Sequence, residues 1–291
     1  MKSRTTGRET NELTITNLSR TMKSKQIILF VALAFASVFW NCGGTKPGGG
    51  FNLFSIEDDK RLGAEFSKQI ESDRENYPIM PEAGNEELYR YIRGITNKIL
   101  NSGSVAYRND FVWQVKIIDD IKTLNAFAVP GGYLYVYTGL IKYLDTEDQL
   151  AGVMGHEIAH AAQRHSTRQL TKIYGIDAMR QILTGNQNAD AFSQLALSLV
   201  SLKFSRKHEA EADNYSVNYL CGTDYNASGA AGFFEKIQSE SEGSERPPEF
   251  LSTHPDPGNR VNDIKARSKE LACTGTNFNK TEYDRIKALL D

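Results

Sequence analysis

The segment His156-Glu157-Ile158-Ala159-His160 constrains this chain more than any other. Histidines at i and i+4 project from one face of a helix one turn apart, so two imidazoles can converge on a single metal ion. The glutamate between them points to the side, where it can take a proton from a water beside the metal. Local sequence favours a helix: Thr146 and Gln149 can form a capping box, and Glu147 and Asp148 suit the positive N-terminal dipole. No break signal follows until far downstream. Leu150, Val153, Met154, Glu157 and Ile158 share neighbouring stripes, which predicts a mostly buried helix. On its own the pentapeptide also arises by chance on amphipathic helices, so other segments have to complete the site.

A catalytic zinc site usually takes three protein ligands and leaves one position to water. Residues 204–213 offer the third: Glu209 and Asp213 are spaced i, i+4 on a second predicted helix. A glutamate there can ligate zinc, while the aspartate holds the ring N–H of a ligand histidine and fixes its tautomer. Glu211 lies roughly 200° around that helix from Glu209 and is expected to face elsewhere. Most charge runs are solvated faces, but apolar helix flanks this one on both sides, which turns its acids inward.

Taken together, the two segments resemble the HExxH + ExxxD arrangement of gluzincins. More closely, the chain resembles the zinc metallopeptidase family of HtpX, the CAAX prenyl endopeptidases and the periplasmic BepA- and LoiP-like proteases. Four stretches carry the likeness, in the family's order: residues 125–132 (NAFAVPGG), 156–165, 204–213 and 252–255 (STHP). The likeness runs from about Phe51 to about Leu271. It implies a gluzincin-like endopeptidase holding one zinc through His156, His160 and Glu209, with Glu157 as the base.

Composition fits an ordinary folded enzyme. The chain has 291 residues, 24% charged and 40% hydrophobic, enough for one sizeable core. Its formal net charge of −2 gives no reason to expect a nucleic-acid partner. The N-terminus reads as a targeting device: residues 27–40 form an apolar run preceded by Lys23 and Lys25, with Met22 a possible start. The run ends at Cys42, followed by a Gly/Pro-rich tether to Gly50. This resembles a bacterial lipoprotein signal with Cys42 as the lipid carrier, although Trp40 and Asn41 are bulkier than the small residues expected there. The expected organisation is therefore a signal over 1–42, a flexible tether over 43–50 and a metallopeptidase domain over 51–291. That places the protein in the bacterial cell envelope, on the periplasmic side, lipid-anchored to the outer membrane. Cys221 and Cys273 then remain as a pair that an oxidising compartment allows to bridge two helix ends.

Periodicity predicts an α+β body, mostly helical. Helices are expected over 56–76, 86–100, 206–221, 226–241, 258–272 and 281–290, with poorly punctuated helix over 168–204. A strand is expected over 111–118 and a hairpin over 124–137, turning at Pro130-Gly131-Gly132. Asn125 and Ala126 are candidates for gripping a substrate backbone by strand addition. His254, in the Pro-rich segment 252–257, is expected on a stiff loop rather than a helix. It is a candidate oxyanion donor or a fourth ligand that latches the site; Arg260 and Tyr133 are further donor candidates, and the remaining possibility is a helix cap near Gly258. His165 lies about 140° off the metal face and is expected to be structural. The function expected is zinc-dependent cleavage of exported or misfolded envelope proteins. The alternative is a zinc-stabilised chaperone or binding lipoprotein that does not cut.

Overall fold

Ser55 starts helix α1 (Ile56–Ser72) with a reciprocal capping box, its hydroxyl accepting from the Asp58 N–H while the Asp58 carboxylate accepts from the Ser55 N–H. The structure, a computed structural model, describes residues 51–184, 191, 194–195, 197–199, 202–241, 249–256 and 258–291. The expected signal segment, Cys42, the tether and Pro257 lie outside them. Helix α1 ends at Ser72 rather than near 76, because Asp73 leaves helical geometry and takes up the side chain of Asn76. Helix α2 (Glu86–Leu100) buries the stripe Leu88, Ile92, Ile95 and Ile99.

Strands β1 (Gln114–Ile118), β2 (Ala126–Val129) and β3 (Tyr133–Tyr137) make one sheet in the order β1-β3-β2. β1 runs parallel to β3, and β2 antiparallel to it. The β2–β3 hairpin turns at Pro130-Gly131-Gly132, where both glycines hold φ near +80 to +88°, a region costly for any residue with a Cβ. Period-two alternation splits the sheet between two cores. Val115, Ile117, Leu134 and Val136 join the α2 side, whereas Ile118, Tyr135 and Tyr137 join Phe66 and Ile70 of α1.

A short helix α3 (Thr138–Tyr143) leads to the central helix α4 (Glu147–Ala162), in which every residue but Gln149 is buried. Gly152 allows this depth: a Cβ there would stand 2.1 Å from the Ala230 nitrogen. The expected capping box on α4 does not form. The Thr146 hydroxyl turns to Asp148, and Gln149 reaches past it to accept from the Asp145 N–H at 2.9 Å. Glu147 instead accepts from the hydroxyls of Tyr91 and Tyr225 and the amide of Asn279, tying the start of α4 to three distant segments.

The chain continues through α5 (His165–Tyr174), α6 (Ile176–Thr184), α7 (Arg206–Cys221), α8 (Gly229–Ser241), α9 (Glu249–Thr253), α10 (Arg260–Glu270) and α11 (Lys280–Lys287), of which α5, α7 and α8 pack on α4. Gly175 at φ +81° separates α5 from α6. The segment before His254 is the short helix α9 rather than a stiff loop: the His254 N–H still donates to the Phe250 carbonyl at 2.9 Å, and the prolines leave residues 249–253 free to wind. Cys221, ending α7, is bonded to Cys273, just beyond α10, with their Cα atoms 5.0 Å apart. Among the described residues no helix is long and apolar enough to cross a membrane. The body is α+β and mostly helical, with the small sheet beside α4.

Candidate metal centre

All five histidines of the chain gather in one place. His156 and His160 point from one face of α4, and Glu209 enters from the first turn of α7, whose N-cap Ser205 accepts from the His208 N–H at 3.2 Å. The two Nε2 atoms lie 3.0 Å apart, and each is 3.4 Å from a Glu209 oxygen. His254 Nδ1 lies 3.4 Å from both His156 Nε2 and Glu209 Oε1. Four donors ~2.1 Å from one zinc in a tetrahedron stand roughly 3.4 Å from each other, so these spacings fit that ion. The donor set agrees, since imidazole and carboxylate are ordinary zinc ligands. All four residues are buried.

A second ring of groups aims these donors. Asp213 Oδ1 accepts from His156 Nδ1 at 2.8 Å, which leaves the Nε2 lone pair of His156 directed at the cluster. Arg260, 2% exposed, locks the acids: its Nε donates to Asp213 Oδ2 at 2.7 Å and its Nη2 to Glu209 Oε2 at 2.9 Å. Two of its guanidinium nitrogens are thus committed to these carboxylates, while Nη1 has no hydrogen-bond partner. His160 Nδ1 lies 3.0 Å from His165 Nδ1, and His165 Nε2 faces Glu211 Oε2 at 3.4 Å. A proton on His165 Nε2, facing that carboxylate, leaves His165 Nδ1 to accept from His160, so His160 too presents a bare Nε2.

Electrostatics follow from burial and these contacts. Burial opposes charge on His156, but hydrogen bonds to Asp213 and Glu209 outweigh it and push the metal-free imidazole up to about 9. Burial holds His160 well below its ordinary value. Burial also favours the neutral Glu209 carboxyl, yet His254, His156 and His160 together hold it below the usual carboxylate range.

Glu157 is buried and turned to the side of the donor set. Its Oε2 accepts from the Ala128 N–H of β2 at 3.0 Å, while Oε1 has no hydrogen-bond partner and lies 3.6 Å from His254 Nε2. Burial raises its carboxyl, against the pull of His254 and His156. The ladder explains the Ala128 contact: the Tyr137 N–H donates to the Asn125 carbonyl, so alternation turns the main-chain groups of Ala126 and Ala128 to the free edge of β2. Asn125 therefore turns its carbonyl to β3, away from that edge. The Phe250 N–H occupies the edge further along, at the Leu124 carbonyl, and Ala126 is fully buried. The His254 ring stacks on Phe250 with centroids 4.3 Å apart and does not cap α10. A cleft of about 420 Å³ runs from His254, Ala128 and Asn125 to the surface. Tyr133 lines a different cavity, beside Arg93 and Trp113.

The profile of peptidase family M48 matches residues 86–268, more than half of the chain and all of the donor set. The chain belongs to peptidase family M48. The beta-barrel assembly-enhancing protease of Escherichia coli (strain K12) is 28% identical over 267 residues, covering 88% of this chain and 53% of that relative. Metalloprotease LoiP of Escherichia coli (strain K12) is 27% identical over 254 residues, covering 82% of this chain and 95% of that relative. The mitochondrial metalloendopeptidase OMA1 of Schizosaccharomyces pombe is 27% identical over 219 residues, covering 74% of this chain and 62% of the relative. The chain spans about half the length of the beta-barrel assembly-enhancing proteases it matches. For this M48 peptidase the metal that family and donor set both indicate is zinc.

Sequence periodicity missed His165 because it continued α4 past its end. The helix stops at Ala162, and Arg164 takes a left-handed φ of 58°, pinned by its donations to Asp59 and the Phe54 carbonyl. Helix α5 then starts at His165 on a new axis, which brings that ring back to His160.

Proposed function

We propose that this M48 peptidase is a zinc-dependent endopeptidase that hydrolyses exported or misfolded proteins of the bacterial envelope. The observation that carries the proposal is Glu157: a buried carboxylate beside a four-donor zinc set, with one oxygen fixed by the sheet and the other without a partner. A protein that only binds has no use for a base in that position.

His156, His160 and Glu209 are the ligands in this reading. Zinc, when bound, polarises a peptide carbonyl and lowers the pKa of water toward neutrality. Glu157 Oε1 accepts the proton of the attacking water, and Ala128 keeps Oε2 turned away so that one oxygen faces the reaction. The same carboxyl then returns the proton to the leaving amine. The outward main-chain groups of Ala126 pair with an extended substrate, and Asn125 contributes its side chain. His254 would supply a fourth donor, keeping the site closed until its ring moves aside.

Lipid attachment at Cys42 and a periplasmic, outer-membrane location belong to the same proposal. They rest on the leader's pattern and on similarity to bacterial proteases, one of them named for assembly of β-barrels. The test is cleavage of unfolded casein by purified protein before and after chelation. The expected result is loss of cleavage on chelation and its return with one zinc per chain. Cleavage that survives complete zinc removal would contradict the proposal.

A further inference from the structure

The cleft that His254 lines is lined by carboxylates as well. Asp73 at the end of α1, Asp120 on the β1–β2 connection and Glu249 at the start of α9 come from separate parts of the chain to line it. Tyr77 and Tyr137 stand among them: burial raises both phenols, and the surrounding acids raise them further, Asp73 and Glu249 at Tyr77, Asp120 and Glu249 at Tyr137. Among the described residues lining the cleft there is no lysine or arginine. Lys122 lies near Asp120 but is exposed and does not line the cleft.

A second observation, independent of the acids, points to a ligand with donor hydrogens. Asn125 is 7% exposed, lines the same cleft, and its buried Oδ1 has no hydrogen-bond partner. A buried acceptor left unpaired is costly, which makes it a place for a donor supplied from outside. The rings of Phe127 and Tyr137 line the same cleft, with centroids 6.4 Å apart. Such a surface suits the aliphatic stem of a lysine or arginine and attracts its charge to the ring faces.

We propose that this cleft is a subsite for a cationic side chain, and that the enzyme selects polypeptide segments carrying a lysine or arginine close to the scissile bond. This rests on the endopeptidase reading only for the word scissile; binding of the cationic segment stands apart from it. Leu197, Leu199 and Leu202, which also line the cleft, offer the competing preference for an apolar side chain, which the test also reads.

The test uses zinc-loaded Glu157→Gln protein, so that bound peptides stay intact. Lysine, leucine or glutamate is scanned through one labelled, otherwise neutral peptide, and Kd is measured by fluorescence anisotropy. At its best position the lysine peptide is expected to bind about tenfold tighter than the leucine and glutamate peptides, a preference that salt weakens. Adding Glu249→Gln and Asp120→Asn is expected to collapse that ratio. Glu249 is exposed, and asparagine can still accept from the Lys122 N–H while its amide donates to the Thr123 hydroxyl, which now donates to Asp120, so the fold is kept. Absence of binding, equal binding of the three peptides, a leucine preference, or a lysine preference that both substitutions leave intact would overturn the subsite. If wild-type protein binds the lysine peptide as expected yet never cuts it, the endopeptidase reading fails and the subsite stands.

Discussion

The Nδ1 atoms of His160 and His165 face each other at 3.0 Å, so one ring must donate to the other. Glu211 beside His165 Nε2 decides which, and the outcome prepares His160 for a metal. Substituting His165 by alanine should weaken zinc binding about 10- to 100-fold, the usual cost of losing an outer partner of a ligand histidine. Glu211→Gln should act in the same direction and less strongly, with zinc still bound at saturation, whereas Glu209→Ala should lose the metal. Competition with a chromophoric chelator measures all three. Unchanged affinity in His165→Ala would mean the contact only fills space.

Arg260 holds two buried carboxylates at once, and removing it leaves them facing each other without a cation. Arg260→Leu should cost the metal-free protein about 3–5 kcal/mol, the range for breaking a buried charge pair. Zinc supplies a replacement charge, so the loss should shrink in the loaded protein. Urea unfolding with and without zinc checks this; an equal loss in both would contradict it.

The pH dependence has a definite sign. The metal-free His156 imidazole is raised to about 9, above its ordinary value near 6.5. Its charged contacts therefore stabilise the metal-free fold fully below about pH 6.5 and lose that effect as pH rises through about 9. Metal must displace that proton, so zinc affinity should rise about tenfold per pH unit across the same window. Calorimetry in buffers of different ionisation enthalpy should find close to one proton released per zinc at neutral pH. No release would mean that His156 is neutral before zinc arrives.

His254 Nδ1 stands 3.4 Å from His156 Nε2 and Glu209 Oε1, and the proposed function makes it a fourth donor beside those of α4 and α7. His254→Ala should keep zinc and cut unfolded protein faster or less selectively, because the fourth position opens to water. Slower cleavage with zinc retained would assign His254 to the oxyanion instead.

Much of the site was legible because its spacing is helical. His156, Glu157 and His160 on one helix, and Glu209 and Asp213 on another, need only the i, i+4 rule to face a common point. What the spacing left hidden were contacts made across breaks in the chain. Arg260 was read only as a possible oxyanion donor, and its pairing with the acids stayed hidden because those partners are 47 and 51 residues away. The role of His165 depends on the left-handed turn at Arg164, which no periodicity continues through. Helix α9 hid among prolines, and helix α3 followed a strand with no cap residue to mark it. In the sheet, the hairpin was plain from its turn residues, but the parallel pairing of β1 with β3 leaves no local trace.

The central claim is that Glu157 moves the proton in a zinc-dependent hydrolysis, and the most direct measurement is the cleavage rate of Glu157→Gln at verified zinc content. Glutamine keeps the size of the side chain and an oxygen for the Ala128 N–H, so fold and zinc should be retained. The rate on unfolded casein should fall by at least ~10²-fold, the low end for loss of a general base. A zinc-loaded Glu157→Gln protein that cuts at the wild-type rate would contradict the account.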